Sequence, residues 1–284
     1  MLATLTELLD AAEKGDYAVV APDFTSLFAA RVMVETAEQL GTPLILSFAP
    51  ALKPLVELSD YERYMRAVLD EIESMQVPIC LHLDHASSLD EIREAIDVGF
   101  TSVMMDASRE PWERNLELTQ QTVALAKPAG VSVEAELGQV STGSDYFVDD
   151  QLAESLTDPD EAGEFVRLTG IDALAVAIGN QHGAYRGAPK LDFERLAALQ
   201  SVVDVPLVLH GSSGIPEADL KRAIGLGIRK INLFSEIIAA AHQGMLGVLQ
   251  ESLSDPFALQ QAQAEETRDV LKSFIAASGS QGKA

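Results

Sequence analysis

Pro78-Ile79-Cys80-Leu81-His82-Leu83-Asp84-His85 is an apolar run that ends in a carboxylate and an imidazole. A proline opens it, and the turn and helix-start residues Ala86-Ser87-Ser88 follow it. It reads as a buried parallel strand whose carboxyl end carries polar groups. Parallel α/β sheets place their chemistry at that end. Working outward from it, comparable runs occupy residues 17–21, 43–48, 102–108, 132–138, 173–179, 206–211 and 230–235, each ending in small or polar residues, with helical stretches between. Strand and helix alternate eight times in a chain of 284 residues. This predicts an α/β fold, a (β/α)8 TIM barrel rather than an open sheet, forming one domain over residues 1–284.

The intervening helices carry their own signals. Ser88 with Glu91 is a capping-box pattern opening a helix over 89–98 that Gly99 closes. Asp158-Pro159-Asp160-Glu161 supplies a cap, a proline at the first helical position and an acid three residues on, and Gly170 ends that helix. A short helix is expected over 216–225. Two features exceed a minimal barrel. Residues 139–156 are too many for a βα connection of about 2–6 residues and read as a functional loop. The tail over 256–284 adds an extra C-terminal helix and then a loose end, Gly279-Ser280-Gln281-Gly282-Lys283-Ala284.

Composition excludes several function classes. Twenty basic against 44 acidic residues leave a net charge of −24, and the sequence pI is 4.4. Such a surface repels nucleic acid, whose phosphates need basic groups. Cys80 is the single cysteine and sits inside the apolar run, so it forms no intrachain disulfide and reads as a small core residue. Residues 1–14 carry Glu7, Asp10 and Glu13 on an amphipathic pattern, unlike a signal peptide, and no apolar run reaches the ~18 residues of a membrane span. A cytoplasmic protein with no membrane partner is the expectation.

Three of the five histidines, His85, His182 and His210, fall at or just past the carboxyl ends of the third, sixth and seventh runs. In a barrel those ends surround one mouth. A single histidine at a strand end is commonly a hydrogen-bonded structural group, but three at equivalent ends describe a metal site with an open fourth position. His82 and His242 read as structural. Asp84 adjoins His85; neighbours on a strand face opposite ways, so both reach one pocket only if the strand ends there. From spacing alone Asp84 is equally a carboxylate orienting a metal ligand or a general acid/base. Asp106, Glu134 and Glu136 end the fourth and fifth runs; each is a candidate partner for a ligand, and Asp106 or Glu136 could hold metal in an alternative position. The turns His210-Gly211-Ser212-Ser213-Gly214 and Asn232-Leu233-Phe234-Ser235 follow the last two runs, where this fold commonly binds phosphate on backbone N–H groups and a helix start.

The motifs Leu81-His82-Leu83-Asp84-His85, Val133-Glu134-Ala135-Glu136-Leu137-Gly138, Ala177-Ile178-Gly179-Asn180-Gln181-His182-Gly183, Pro189-Lys190-Leu191-Asp192-Phe193 and Lys230-Ile231-Asn232 resemble those of the class II ketose-bisphosphate aldolases, in the tagatose- and fructose-bisphosphate branch, and the resemblance covers nearly the whole chain. It implies Zn2+ held by His85, His182 and His210, with Asp84 as the acid/base that exchanges a proton with the aldehyde-derived hydroxyl. It also implies dihydroxyacetone phosphate held by Gly183, Gly211, Ser212, Ser213, Asn232, Leu233, Phe234 and Ser235, and a monovalent cation (Na+ or K+) near Gly183 and Gly211. The activity so implied is reversible cleavage of a phosphorylated ketose to dihydroxyacetone phosphate and an aldehyde, through an enediolate that the metal stabilises, in a homo-oligomer, dimer or tetramer.

The chain departs from the family pattern at four places. Pro22-Asp23-Phe24-Thr25-Ser26 replaces an Asn-rich turn. Ser47-Phe48-Ala49-Pro50-Ala51 replaces a Ser/Thr and Gly pattern. Ser144, followed by Asp145, stands where the family presents a loop glutamate that removes the C3 proton. Leu233-Phe234-Ser235 replaces smaller residues and threonine. The metal and ketose-phosphate half is intact, and the aldehyde half and the proton-abstracting base are altered. Asp145 is the nearest replacement for that glutamate, with Asp149 and Asp150 as further options. The alternative reading is a catalytically silent metal-binding subunit or sensor.

Overall fold

A computed structural model describes residues 1–55, 61–142, 156–183, 185, 187–251 and 255–284. The strands are β1 (Val19–Pro22), β2 (Leu44–Phe48), β3 (Ile79–Ala86), β4 (Ser102–Met105), β5 (Ser132–Leu137), β6 (Ser141–Thr142), β7 (Ala173–Val176), β8 (Gln181–His182), β9 (Leu207–Leu209) and β10 (Ile228–Leu233). Each of the eight apolar runs forms one strand of a single parallel sheet, in the order β1-β10-β9-β7-β5-β4-β3-β2. The two ends of that order meet at a bridge between Asp23 and Ser47, where the Phe24 N–H donates to the Ser47 carbonyl at 3.0 Å. The sheet is therefore a nearly closed barrel, and its seam lies between β1 and β2. The short strands β6 and β8 pair separately at the carboxyl-end mouth.

Helices α1 (Leu5–Gly15), α2 (Leu27–Leu40), α3 (Tyr61–Glu73), α4 (Leu89–Val98), α5 (Trp112–Ala126), α6 (Pro159–Thr169), α7 (Phe193–Val202), α8 (Glu217–Ile224), α9 (Ser235–Glu251) and α10 (Pro256–Ser278) complete the described chain. In α1 the apolar positions Leu5, Leu8, Leu9 and Ala12 recur at helical spacing, and all four are buried. They meet the inward-facing Ile45, Cys80, Met104, Ala173 and Val208, closing the amino-terminal end of the barrel. Burial pushes the Cys80 thiol up to about 12, so it is an inert core group. Above that apolar layer the interior turns polar, with His82, Glu134, His210 and Lys230 all fully buried. Because the lower end is plugged, these polar groups address the carboxyl-end mouth alone.

The helix signals hold with one difference. Ser88 caps α4 by accepting from the Glu91 N–H, but the Glu91 carboxylate reaches one residue further back and takes the N–H and hydroxyl of Ser87. Asp158 caps α6 through the N–H groups of Asp160 and Glu161, and Gly170 ends it in a left-handed conformation. The tail is where expectation fails. Residues 279–284 are bound, not loose: Gly282 N–H donates to Leu40 O at 3.1 Å, Ala284 N–H to Gly41 O at 3.0 Å, and the Thr42 hydroxyl to a fully buried Ser280 at 2.9 Å. A run of Gly, Ser and Gln is poor in apolar surface, but its main chain caps the carbonyls that α2 leaves unpaired at its end. Among the described residues no helix is long and apolar enough to cross a membrane.

Deleting residues 279–284 removes two main-chain hydrogen bonds and a buried hydroxyl pair, together about 1–2 kcal/mol. The melting temperature is expected to fall by about 3 °C, read by calorimetry; an unchanged melt would mean that the tail bonds contribute nothing.

Candidate active site

The problem of two adjacent strand residues reaching one pocket is solved by the backbone. His85 has φ +52°, one of two non-glycine residues described with a positive φ, and the β3–β4 register shifts between Leu83 and Ala86. A bulge at the strand end turns His85 inward beside Asp84. A left-handed histidine is strained, and such strain concentrates where a side chain must be aimed.

The imidazoles of His85, His182 and His210 converge, with ring centroids 4.6–5.8 Å apart. One ring nitrogen from each lies within 4.8 Å of the others. His85 Nε2 and His210 Nδ1 face each other at 2.9 Å. The remaining nitrogens are held from behind: His85 Nδ1 by Asp106 Oδ2 at 2.8 Å, and His210 Nε2 by Glu134 Oε1 at 2.9 Å. Carboxylates on the far nitrogen fix ring orientation and turn the near nitrogen to the centre, the arrangement metal-ligating histidines adopt. Tetrahedral zinc, with zinc–nitrogen bonds of about 2.0–2.1 Å, needs ligand nitrogens about 3.3 Å apart, so the donor set fits with small adjustments. The field fits too. Burial alone would lower His85, but the Asp84 charge and the Asp106 hydrogen bond outweigh it and hold it up at about 10, so the spot favours a positive charge. Burial pushes His182 down to about 3, which keeps it neutral and able to coordinate.

Beneath the histidines lies a buried ion pair. Lys230, in the middle of β10, donates to Glu134 Oε2 at 2.6 Å and lies 3.1 Å from His82 Nε2, while His82 Nδ1 meets the Ser102 hydroxyl at 2.8 Å. Lys230 Nζ is 3.8 Å from Asp84 Oδ1. Asn232, two residues along the same strand face, donates through Nδ2 to both Asp84 oxygens at 3.1 Å. Burial raises the Asp84 carboxyl, but His85, the His82 contact and Lys230 together hold it well below the usual carboxylate range. Glu136 differs: buried, with Oε2 lacking a hydrogen-bond partner among the described residues, it is pushed up to about 8 by burial and the Asp106 charge. Asp106 and Glu136 lie together with His85 as a second possible metal-holding group.

A cleft opens in the mouth above, beside a second cavity that also has His85 and His182 in its wall. Gly183, Gly211, Ser212, Ser213, Phe234 and Ser235 line one side, and Asp23, Ala49, Ala51 and Leu52 the other, with Asp84 and Asn232 between. Gly211 has φ +62°, and a Cβ there would lie 2.1 Å from the Gln181 carbonyl, so only glycine lets the two loops touch. Tyr185 clasps them, accepting from the Gln181 N–H and donating to Gly211 O at 2.9 Å. Asn180 donates to the His210 carbonyl. The Ser213 hydroxyl accepts from the Glu236 N–H in the first turn of α9. Leu233 is placed elsewhere: its side chain is buried in the layer between barrel and helices. Asp145, Ser144, Asp149 and Asp150 lie outside the described residues.

The residues that sequence reading missed are Lys230, Tyr185 and Asn180. Lys230 had a signal, since a lysine amid the apolar residues of a buried strand demands a buried anion. Tyr185 had none. His82, taken as structural, does not join the three converging imidazoles, yet it forms part of the network under them.

Lys230→Met is expected to cost about 3–5 kcal/mol by denaturant titration, because it strands the Glu134 charge. The double variant K230M/E134Q should be less destabilised than the two single losses summed. Asp106→Ala should weaken zinc binding about 10–100-fold by competition with a chromophoric chelator; unaltered affinity would mean that Asp106 does not orient His85.

Comparison with known proteins agrees with this geometry. Residues 3–283 match the family model described as fructose-bisphosphate aldolase class-II. An uncharacterized protein of Escherichia coli (strain K12), YdjI, is 40% identical over 258 residues, which cover 89% of this chain and 88% of that one. The crystal structure of the YdjI aldolase from Escherichia coli K12 superposes with a TM-score of 0.89 at 35% identity, covering 100% of both chains. A fructose-bisphosphate aldolase from Campylobacter jejuni shares the fold, with a TM-score of 0.83 over 100% of this chain and 97% of the other at 21% identity. Barrel, histidine cluster and a family match spanning almost every residue lead to one statement: this chain belongs to the class II fructose-bisphosphate aldolase family.

Proposed function

We propose that the chain is a zinc-dependent aldolase that cleaves a ketose 1-phosphate, reversibly, to dihydroxyacetone phosphate and an aldehyde. The observation that carries this reading is the convergence of His85, His182 and His210 beside a buried Asp84 whose two oxygens are both held by Asn232. Zinc bound by the three imidazoles supplies Lewis-acid polarisation of the ketose C2 carbonyl. The glycine and serine loops after β8 and β9, where they meet the start of α9, would offer main-chain N–H groups and the Ser213 hydroxyl to the 1-phosphate, which gives an anion a home on an acidic protein. Asp106 and Glu134 keep two of the imidazoles aimed.

In cleavage, Asp84 takes the proton of the C4 hydroxyl, the C3–C4 bond breaks, and its electron pair stays on C3 as the aldehyde carbonyl forms. In condensation the same carboxyl returns the proton to the new alkoxide. Asn232 holds Asp84 in that position. Asp145 is the candidate that removes the C3 proton of dihydroxyacetone phosphate.

The test is exchange of the C3 proton for deuterium in dihydroxyacetone phosphate, followed by NMR without aldehyde. Zinc-loaded protein is expected to exchange it and chelator-stripped protein not; zinc bound without exchange or cleavage would leave a silent metal-binding subunit. Asp84→Asn should lower cleavage by about 10²–10⁴-fold. Asp145→Ala should slow exchange with zinc still bound, and an unchanged rate would remove it from the mechanism.

A further inference from the structure

The cleft is chemically lopsided. Its phosphate side consists of glycines and serines with Phe234, whereas the opposite wall, formed by the ends of β1 and β2, is Asp23 with Ala49, Ala51 and Leu52. Among the described residues no lysine or arginine lines this cleft. Asp23 is only 6% exposed, and its Oδ1 is buried with no hydrogen-bond partner among the described residues. Asn232 spends its amide N–H groups on Asp84, which leaves its own Oδ1 in the same condition. Two buried acceptors on residues that line one cleft call for donors, because a buried polar atom left unpaired costs about 1–3 kcal/mol. Further negative charge is disfavoured at this wall: burial and the neighbouring Asp84 already push the Asp23 carboxyl well above its usual range.

We infer that the aldehyde half of the site takes an uncharged hydroxyaldehyde, its hydroxyl groups donating to Asp23 Oδ1 and Asn232 Oδ1, and discriminates against an aldehyde phosphate. The substrate is then a ketose 1-phosphate rather than a bisphosphate, with Asp23 as the specificity-determining residue. This rests on the aldolase reading above. On this wall a phosphate on the aldehyde would meet a carboxyl group and methyl-bearing side chains, with no lysine or arginine among the described residues lining the cleft to offset its desolvation. A hydroxyl group instead satisfies acceptors that would otherwise stay unpaired, which is the kind of contact that yields strong discrimination.

Condensation of dihydroxyacetone phosphate with D- or L-glyceraldehyde, compared with glyceraldehyde 3-phosphate, tests the inference on the zinc-loaded full chain. The kcat/KM for one of the free aldehydes is expected to exceed that for the phosphate at least tenfold. Asp23→Asn replaces the carboxyl by a neutral amide of the same shape and should shrink that ratio at least fivefold. Preference of the wild type for the phosphate overturns the inference whether or not the variant folds, and so does an unchanged ratio in the folded variant. Deuterium exchange into dihydroxyacetone phosphate separates the two levels. Exchange with the wrong aldehyde preference sinks this inference alone; zinc bound with neither exchange nor reaction with any of these aldehydes removes the aldolase reading and the inference with it.

Discussion

A lysine ammonium buried inside a barrel holds the site in register. Lys230 comes from the last strand, Glu134 from the fifth and His82 and Asp84 from the third, so one cation ties three strands across the interior. Taking such a charge out of water is expensive, and only close anions make it tolerable. The same anion, Glu134, also holds the rear nitrogen of His210. Main-chain pairing sets strand heights to within a fraction of a residue, and the ion pair then selects which inward side chains can coexist. His210 points where it does because a carboxylate already committed to a buried lysine stands behind it.

Layering bears on how so acidic a chain would host the anion proposed for it. The lower barrel is filled by α1 and is apolar; the middle carries the paired charges; the top exposes imidazoles, glycines and a helix start. Each layer insulates the next. The overall charge of −24 acts on approach from solution, whereas a bound phosphate would feel the dipoles and ligands within a few ångströms.

Much of this was legible in the sequence. The eight alternations and the histidines at strand ends follow from period and position, which depend on local chain order. The pocket-facing pose of His85 was not legible, because it rests on a bulge that becomes apparent only when β3 is registered against β4. The partner of Lys230 lies 96 residues away and cannot be paired by spacing. The tail misled because composition reports side chains, and its anchoring uses the main chain.

The seam between β1 and β2 has a consequence of its own. β3, which carries His85, β9, which leads into His210, and β10, which carries Lys230, are each paired on both sides in the main sheet, whereas β1 and β2 meet each other through a single bridge. The main sheet thus divides into a fully paired arc that bears His85, Lys230 and the lead into His210, and a loosely stitched seam that, on the proposed function, faces the aldehyde. Residues can change along the weak stitch without shifting the strands that aim the imidazoles. If the proposed function holds, a scaffold built this way can acquire new aldehyde partners without moving the residues that converge on the histidine cluster.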